Sequence, residues 1–355
     1  MERNEHIPVR NLYYMLAYAF RSITLSSWRK AGAEPFADVH NLFAALFAEG
    51  IGWQLQQGLR RDYVETTEDL RRLRGRLSMP GVIRNRAARR MRLACIYDEF
   101  SENHRLNQIV RSAAEALLHA PQVRTEYRNR LRKELSLLQA VDRVWLETVP
   151  WERLTFPPGV RHLEWLVHLA ELLTKGLLQT ETHGGMRLRE AMDDETMARL
   201  YEKFLLGYFQ THFPRLSPKA RQIPWAAEGA ADFLPVMQSD VALRCGGRAL
   251  ILDAKWYTHT MQEQRGRRSQ HSDNLYQIFT YVQNAQCALG EAADVSGMLL
   301  YARTDEAVQP DQTYVLAGRR IAVRTLDMNQ EFSHIEADLR RIAADYFPDT
   351  KKGDL

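Results

Sequence analysis

Two carboxylates and one lysine stand where two predicted strands of the C-terminal half come together. Asp240 lies in a strand-like segment, while Asp253 and Lys255 follow the apolar run 249–252. The Gly-Gly pair at 246–247 separates the two segments, which is typical of a tight β-hairpin turn. Because successive side chains of a strand point to opposite faces, Asp253 and Lys255 are expected on the same face. We therefore expect Asp240, Asp253 and Lys255 to converge at one edge of a sheet.

This group of side chains suits phosphodiester hydrolysis. Mg²⁺ binds one or two carboxylates together with waters and phosphate oxygens, so Asp240 and Asp253 are predicted metal ligands, with the carbonyl oxygen of Ala254 as a further ligand and Mn²⁺ as a substitute ion. Lys255 would orient the attacking water or stabilise charge that develops on the phosphate. The alternative is an Asp253–Lys255 pair on a solvated strand face. The apolar run that precedes the pair favours a strand buried on both faces instead.

A helix predicted over 274–289 adds two further polar candidates. Gln277 and Tyr281 are four residues apart, so they lie one above the other on one helix face. Taken alone, such a pair is expected to cap the edge of a core. Its position after the Asp-x-Lys pair favours a place in the catalytic site.

The segment between Lys255 and this helix is polar and basic, and it is predicted to be a loop. Arg265, Arg267 and Arg268 are its positive charges. The segment is interpreted either as a contact to the phosphate backbone of a nucleic acid or as a solvated loop. The sequence favours neither interpretation.

Helices and strands are distributed unequally along the chain. Helices are predicted at 7–20, 39–59, 107–118, 125–138, 163–178, 195–213, 274–289 and 330–346. Strands are predicted at 63–66, 73–77, 91–97, 231–244, 248–256, 297–301, 313–316 and 321–326. The Pro- and Gly-rich stretch 148–159 is the predicted domain boundary. We therefore expect an α+β N-terminal domain over 1–155 and an α/β domain over 156–355, with a mixed central sheet flanked by helices.

Composition excludes several classes of protein. The 48 basic and 44 acidic residues leave a net charge of +4, so any nucleic-acid affinity must come from local patches. Three scattered cysteines lack the spacing of a zinc site or a disulfide framework, and each is expected to be buried. The charged N-terminus is unlike a signal peptide, and no apolar run reaches the ~20 residues of a spanning helix. No membrane contact is expected, and the predicted location is the cytoplasm.

The order Asp240, Asp253-Ala254-Lys255, Gln277-xxx-Tyr281 resembles the PD-(D/E)xK nuclease superfamily, in the branch of RecB-like nucleases. The resemblance implies a Mg²⁺-dependent DNA endonuclease fold for the C-terminal domain. Many members of this superfamily use a glutamate of the first helix to bind metal, which implies such a role for Glu202. An exposed Glu202 without that role is the alternative.

Further segments resemble McrC, the nuclease subunit family of the McrBC modification-dependent restriction systems. The matching segments are Ile7–Ala19, Arg74–Leu77, Tyr97–Asn103, Leu200–Leu205 and Asn274–Gln277. The resemblance implies a DNA endonuclease subunit that makes double-strand breaks at sites of modified cytosine. It also implies a McrB-like AAA+ GTPase hexamer as partner, which recognises the modified base and whose GTP hydrolysis the N-terminal region stimulates.

Several partner expectations follow from that resemblance. The chain has no Gly-x-x-x-x-Gly-Lys-Ser/Thr loop, so it is expected to bind no nucleotide itself. Cleavage of both strands implies double-stranded DNA and a nuclease-domain dimer in the active assembly. The arginine-rich segment 71–92 is predicted to be a projecting hairpin that contacts the GTPase, with Arg74, Arg76, Arg84 and Arg86 as candidates. Direct DNA binding by this segment is the alternative. A catalytically silent adaptor that only activates the GTPase and a stand-alone RecB-like nuclease remain alternative functions of the chain.

Overall fold

The computed structural model describes residues 7–20, 39–180, 186–188, 194–229, 232–257, 261–264, 267–304, 306 and 308–348. The α-helices in this part of the chain are α1 Val9–Phe20, α2 Val39–Gln57, α3 Met79–Ala87, α4 Arg105–His119, α5 Thr125–Leu135, α6 Arg161–Leu172, α7 Asp194–His212, α8 Ser272–Leu289 and α9 Phe332–Tyr346. The strands are β1 Asp62–Leu70, β2 Arg76–Leu77, β3 Leu93–Ser101, β4 Leu178–Thr180, β5 Met186–Leu188, β6 Gln222–Ile223, β7 Met237–Gln238, β8 Val241–Cys245, β9 Arg248–Lys255, β10 Met261–Gln264, β11 Arg267–Gln270, β12 Asp294–Ala302, β13 Gln312–Leu316 and β14 Arg319–Leu326.

The chain forms two compact units, and the boundary between them differs from the single domain boundary predicted near residue 155. The first unit comprises Met1–Ala37, Lys175–Leu177 and Arg189–Leu355, and the second comprises Asp38–Thr174 and Leu178–Leu188. Helix α1 therefore belongs with the C-terminal sheet, while α6 packs on α4 in the second unit. The roles assigned to 1–155 and 156–355 stay predictions.

Helix α1 joins the first unit through close contacts that no local pattern encodes. Asn11 Nδ2 donates to the carbonyl oxygens of Met328 (2.8 Å) and Gln330 (2.7 Å), which lie between β14 and α9. Gly207 of α7 lies so close to α1 that a Cβ there would overlap the carbonyl group of Tyr18. The α1–α7 crossing thus depends on a glycine in the middle of a helix, where glycine costs roughly 0.5–1 kcal/mol relative to alanine.

The second unit contains a three-stranded antiparallel sheet with the order β1-β3-β2. The predicted hairpin within 71–92 is wrong, because α3 occupies Met79–Ala87 between β2 and β3. Pro80 is compatible with this helix because it lies in the first turn, where a missing N–H breaks no helical hydrogen bond. Gly81 packs against Ala94 of β3, so the residue predicted as a turn is a helix–strand contact.

The first unit is built on a five-stranded mixed sheet with the order β13-β14-β12-β9-β8. Strands β9, β12 and β14 are parallel, while β8 and β13 run antiparallel to their neighbours. Helix α8 connects β9 to β12 and packs on both strands. Gly297 of β12 permits this packing, since a Cβ there would lie 2.7 Å from Val282 and 2.9 Å from Ile278. The expected mixed sheet with flanking helices is confirmed for this unit.

Two smaller expectations are corrected. The strand predicted over 231–244 is instead β7 and β8, interrupted at Ser239 and Asp240. Cys95 is buried as expected, but Cys245 and Cys287 are exposed. Among the described residues, no helix is both long enough and apolar enough to cross a membrane.

Candidate active site

The β8–β9 hairpin brings the two aspartates together. The two-residue turn contains Gly246 with φ +57°, a left-handed conformation that glycine adopts without strain. The antiparallel register pairs Val241 with Leu252, so Asp240 lies one step further along, opposite Asp253. Asp240 Oδ2 accepts a hydrogen bond from Ala254 N at 2.7 Å. Just before β8 begins, the Asp240 side chain thus accepts a hydrogen bond that a backbone carbonyl oxygen would accept within a strand pair.

Asp253 and Lys255 form a nearly dry ion pair at the end of β9. The distance from Lys255 Nζ to Asp253 Oδ2 is 2.5 Å, and the two side chains are 13% and 3% exposed. Oδ2 is buried, and the Lys255 ammonium is its charged partner. The alternative of a pair on a solvated strand face is therefore wrong, because β9 is covered on both faces from Ala249 to Ala254.

Helix α8 supplies a hydrogen-bonded chain that holds the lysine. Lys255 Nζ donates to Gln277 Oε1 at 3.0 Å, and Gln277 Nε2 donates to the Tyr281 hydroxyl at 3.0 Å. The direction of this chain is determined by Lys255, because an ammonium group only donates. Gln277 and Tyr281 thus position Lys255, although Tyr281 also borders the core beneath α8.

The acidic groups of the site repel one another. Burial raises the pKa of Asp240 to about 7, and the charges of Asp253 and Glu202 add to this effect. Burial likewise raises the pKa of Glu202 on α7, with Asp253 as the next cause. The pKa of Asp253 is raised by burial although Lys255 opposes the shift. Glu202 therefore lies within electrostatic range of both aspartates, and its role as a metal ligand stays a prediction.

The donor set fits a Mg²⁺ ion that keeps part of its water shell. No three His, Cys, Asp or Glu side chains within the described ranges are grouped as a complete metal site. Mg²⁺ requires only one or two protein carboxylates beside water and phosphate oxygens. Asp240, Asp253 and Glu202 interact electrostatically with one another, and the raised pKa of Asp240 indicates negative charge that a cation would compensate.

The predicted basic loop is partly a β-ribbon. Strands β10 and β11 pair antiparallel, with Glu263 opposite Arg268 and Gln264 opposite Arg267. Arg265 lies outside the described residues. Residues 261–264 and 267–270 of the segment predicted as a loop are therefore paired strands. Its contact with DNA stays a prediction.

The arginine-rich surface of the second unit consists of the exposed arginines between β1 and β3. These are Arg71, Arg72, Arg74, Arg76, Arg84, Arg86, Arg89, Arg90 and Arg92. Arg74 stacks over Tyr97 at 3.8 Å, and Arg76 pairs with Glu65 at 2.6 Å. Within the described part of the chain, the guanidinium groups of Arg84 and Arg86 have no carboxylate partner. Exposed apolar side chains are interspersed among the arginines, with Met79, Ile83 and Met91 at 60%, 63% and 96% exposure.

Three residues near the site were not among the predicted site residues. The Tyr257 hydroxyl donates to Asn274 Oδ1 at 3.2 Å, and Asn274 Nδ2 donates to the Tyr301 hydroxyl at 2.9 Å. Tyr301 stands opposite Lys255 in the parallel β9–β12 register. Asn274 could have been predicted from the sequence, because it lies three residues before Gln277 and residues three apart share a helix face. No local signal links Tyr301 to the site.

Comparison with known proteins identifies the family. The McrBC 5-methylcytosine restriction system component family matches residues 2–302. The type IV methyl-directed restriction enzyme EcoKMcrBC of Escherichia coli strain K12 is 24% identical over 345 residues, which cover 96% of this chain and 98% of that protein. A chain of the half-complex from the tetradecameric assembly of Thermococcus gammatolerans McrB AAA+ hexamers with bound McrC shares the fold, with a TM-score of 0.50 and 19% identity over 95% of this chain and 76% of that one. The resemblance to McrC is confirmed. The chain belongs to the family of McrBC 5-methylcytosine restriction system components.

Proposed function

We propose that the chain is the Mg²⁺-dependent DNA endonuclease subunit of a modified-cytosine-dependent restriction complex. The observation that carries the proposal is the convergence of Asp240, Asp253 and Lys255 at the end of β9. In a restriction system component, this arrangement favours hydrolysis of phosphodiester bonds, and a PD-(D/E)xK nuclease fold for the first unit is part of the proposal.

Asp253 and Asp240 would hold the metal ion, with the carbonyl oxygen of Ala254 and the Glu202 carboxylate as further ligands. When bound, Mg²⁺ or Mn²⁺ polarises a phosphate oxygen and lowers the pKa of a coordinated water. The carboxylates of Asp240, Asp253 and Glu202 would supply, at a buried place, the negative charge that binds the metal ion. Binding would therefore offset the burial and the mutual repulsion that raise the pKa of Asp240.

Lys255 acts as a cation and donor in this proposal and does not act as a base. Burial lowers the pKa of Lys255, but Asp253, with smaller contributions from Tyr257 and Asp240, outweighs burial, and the net shift is upward. Lys255 Nζ has three N–H groups, and its contacts with Asp253 and Gln277 use two of them. The remaining N–H is available to a phosphate oxygen, where it would stabilise negative charge in the transition state.

The arginine-rich surface is proposed to contact a McrB-like AAA+ GTPase hexamer and to stimulate its GTP hydrolysis. Arginine and methionine are enriched in protein interfaces, whereas DNA-binding surfaces are mainly polar and positively charged. The exposed Met79, Ile83 and Met91 among the arginines therefore favour a protein partner over direct DNA binding. Double-stranded DNA is the proposed substrate, and cutting both strands calls for two nuclease sites in the active assembly.

The proposal is tested in a complex reconstituted from the full chain, its GTPase partner, Mg²⁺, GTP and duplex DNA that contains 5-methylcytosine. Asp253→Asn and Lys255→Ala are expected to abolish cleavage while partner binding and GTPase stimulation persist. Asp311→Asn serves as the matched control because Asp311 pairs with Arg324 on the surface, away from β9. Cleavage at the wild-type rate by both site variants would refute the nuclease role and favour an adaptor. Cleavage by the chain alone would favour a stand-alone nuclease.

A further inference from the structure

Two parallel hydrogen-bonded chains run from the end of β9 to tyrosines through α8. The first is Lys255–Gln277–Tyr281, and the second is Tyr257–Asn274–Tyr301. Both begin on residues two apart in sequence, and both pass through an amide side chain on the same face of α8. Only the first chain has a role in the proposed reaction.

The two chains differ in what determines their direction. Lys255 can only donate, so the amide of Gln277 must present its oxygen to Nζ. The second chain has a hydroxyl at each end, and a hydroxyl both donates and accepts. The Asn274 amide therefore has two orientations, which differ by half a turn about the last side-chain torsion and reverse both hydrogen bonds.

Burial of Tyr301 selects between these orientations. Tyr301 is 0% exposed, and its hydroxyl accepts from Asn274 Nδ2 but donates to no group among the described residues. A buried hydroxyl proton without an acceptor is unfavourable. When the amide is reversed, Tyr301 donates to Asn274 Oδ1 and this proton is satisfied. The Tyr257 hydroxyl then accepts from Asn274 Nδ2, and its own proton becomes free.

That free proton belongs to an accessible group next to the site. Tyr257 is 36% exposed and lies within electrostatic range of Lys255. Its ring is held by His271 at 5.3 Å and by Tyr301 at 6.1 Å between centroids. An ordered hydroxyl donor beside an ammonium group matches the chemistry of a phosphate oxygen.

We propose that Tyr257 donates a hydrogen bond to the phosphate backbone of the bound DNA, and that Asn274 is the positioning residue that turns the Tyr257 hydroxyl outward. The inference rests on the proposed nuclease function and assigns a substrate contact that the Asp-x-Lys site does not include. Tyr301 contributes as the buried donor that fixes the amide.

The test measures DNA affinity and steady-state cleavage in the complex reconstituted from the full chain, using duplex DNA with 5-methylcytosine. Tyr257→Phe is expected to raise KM for DNA about tenfold with a smaller change in kcat, since a hydrogen bond to a charged group contributes about that factor. Tyr301→Phe is expected to raise KM by a smaller factor in the wild type and by none in the Tyr257→Phe background. Tyr314→Phe is the matched control, because β14 and β12 separate β13 from β9.

The possible outcomes distinguish a role of Tyr257 in DNA binding from a role in folding. An unchanged KM in Tyr257→Phe, or effects of Tyr257→Phe and Tyr301→Phe that multiply independently, would overturn the proposal. A lower unfolding midpoint in Tyr257→Phe without a change in KM would assign the hydroxyl to folding alone. The Asp253→Asn variant separates failure of the proposed function from failure of the present inference. If Asp253→Asn cleaves DNA like the wild type, the proposed function fails. If Asp253→Asn is inactive and KM is unaffected in Tyr257→Phe, only the present inference is refuted.

Discussion

Removal of the Lys255 charge should destabilise the first unit, because it leaves a buried carboxylate without its cation. Asp253 is 2% exposed, and Lys255 Nζ lies 2.5 Å from its Oδ2. Removing one partner of a buried ion pair costs about 3–5 kcal/mol. A domain of about 150–250 residues loses about 2–4 °C in Tm for each kcal/mol. We therefore expect Lys255→Met to lower the Tm by roughly 6–20 °C at neutral pH.

The cost in Lys255→Met should depend on pH, because Asp253 can become neutral by binding a proton. Burial already raises the pKa of Asp253, and loss of the lysine raises this pKa further. A native carboxyl group that holds a proton while the unfolded one does not loses stability as pH rises, by about 1.4 kcal/mol per pH unit. The gap between variant and wild type should therefore widen as pH rises through the wild-type pKa of Asp253.

The assay is thermal unfolding of the full chain in EDTA between pH 5 and pH 8, followed by circular dichroism. Asp253→Asn with Lys255→Met provides the matched double variant, since it removes both charges and keeps the shape of the aspartate. This double variant should recover most of the stability that Lys255→Met loses. Equal stability of Lys255→Met and wild type, or additive losses in the double variant, would refute the argument that the pair is buried and coupled.

Three further predictions concern other parts of the molecule. Burial raises the pKa of Asp240 to about 7, so between about pH 4 and pH 7 the native carboxyl holds a proton that the unfolded one lacks. The free energy of unfolding in EDTA should therefore fall as pH rises through this range, by up to about 1.4 kcal/mol per pH unit from this group. Asp240→Asn should reduce this slope in denaturant unfolding, and the remaining slope belongs to Asp253 and Glu202, whose pKa burial also raises. Gly207→Ala should destabilise the first unit by about 1–3 kcal/mol in the same assay, since the new Cβ would overlap the Tyr18 carbonyl. Arg84→Glu with Arg86→Glu should weaken binding to the GTPase about tenfold or more, measured by calorimetry, because a like-charge juxtaposition in an interface costs several kcal/mol.

Each of these three predictions has a result that would contradict it. A wild-type stability that does not change between pH 4 and 7 would mean that Asp240 is not shielded from solvent. A stable Gly207→Ala would mean that α1 has room to move, for which Gly247→Ala in the open hairpin turn is the control. If Arg84→Glu with Arg86→Glu retains full partner affinity but loses DNA affinity, the arginine-rich surface binds DNA.

Much of the site was predictable because its residues are close in sequence. The Gly-Gly turn sets a two-residue hairpin, and the hairpin register places Asp240 opposite Asp253. Lys255 follows from strand alternation alone. Helical spacing places Gln277 and Tyr281 on one face, but their assignment to the site also needed their position after the Asp-x-Lys pair and the resemblance to RecB-like nucleases.

The predictions that failed involved residues whose conformation depends on contacts distant in sequence. Pro80 and Gly81 favour a turn locally, yet both lie in α3, where Gly81 packs against Ala94 of β3. The apolar face of α1 predicts a buried helix but does not specify its partner. Its place beside α7 depends on Gly207 and on the hydrogen bonds from Asn11.

The sequence by itself determined most of the helices and strands, the hairpin that carries the two aspartates and the lysine, and the resemblance to McrC. Those features depend on local spacing, which a single strand, turn or helix expresses without help from the rest of the chain. The tertiary structure alone decided that the Asp253–Lys255 pair is nearly dry and that Tyr301 lies opposite Lys255. It also decided that Tyr257 and Asn274 join the site. Burial and parallel strand pairing arise only when distant segments pack, and the chemistry of these groups changes when water is excluded.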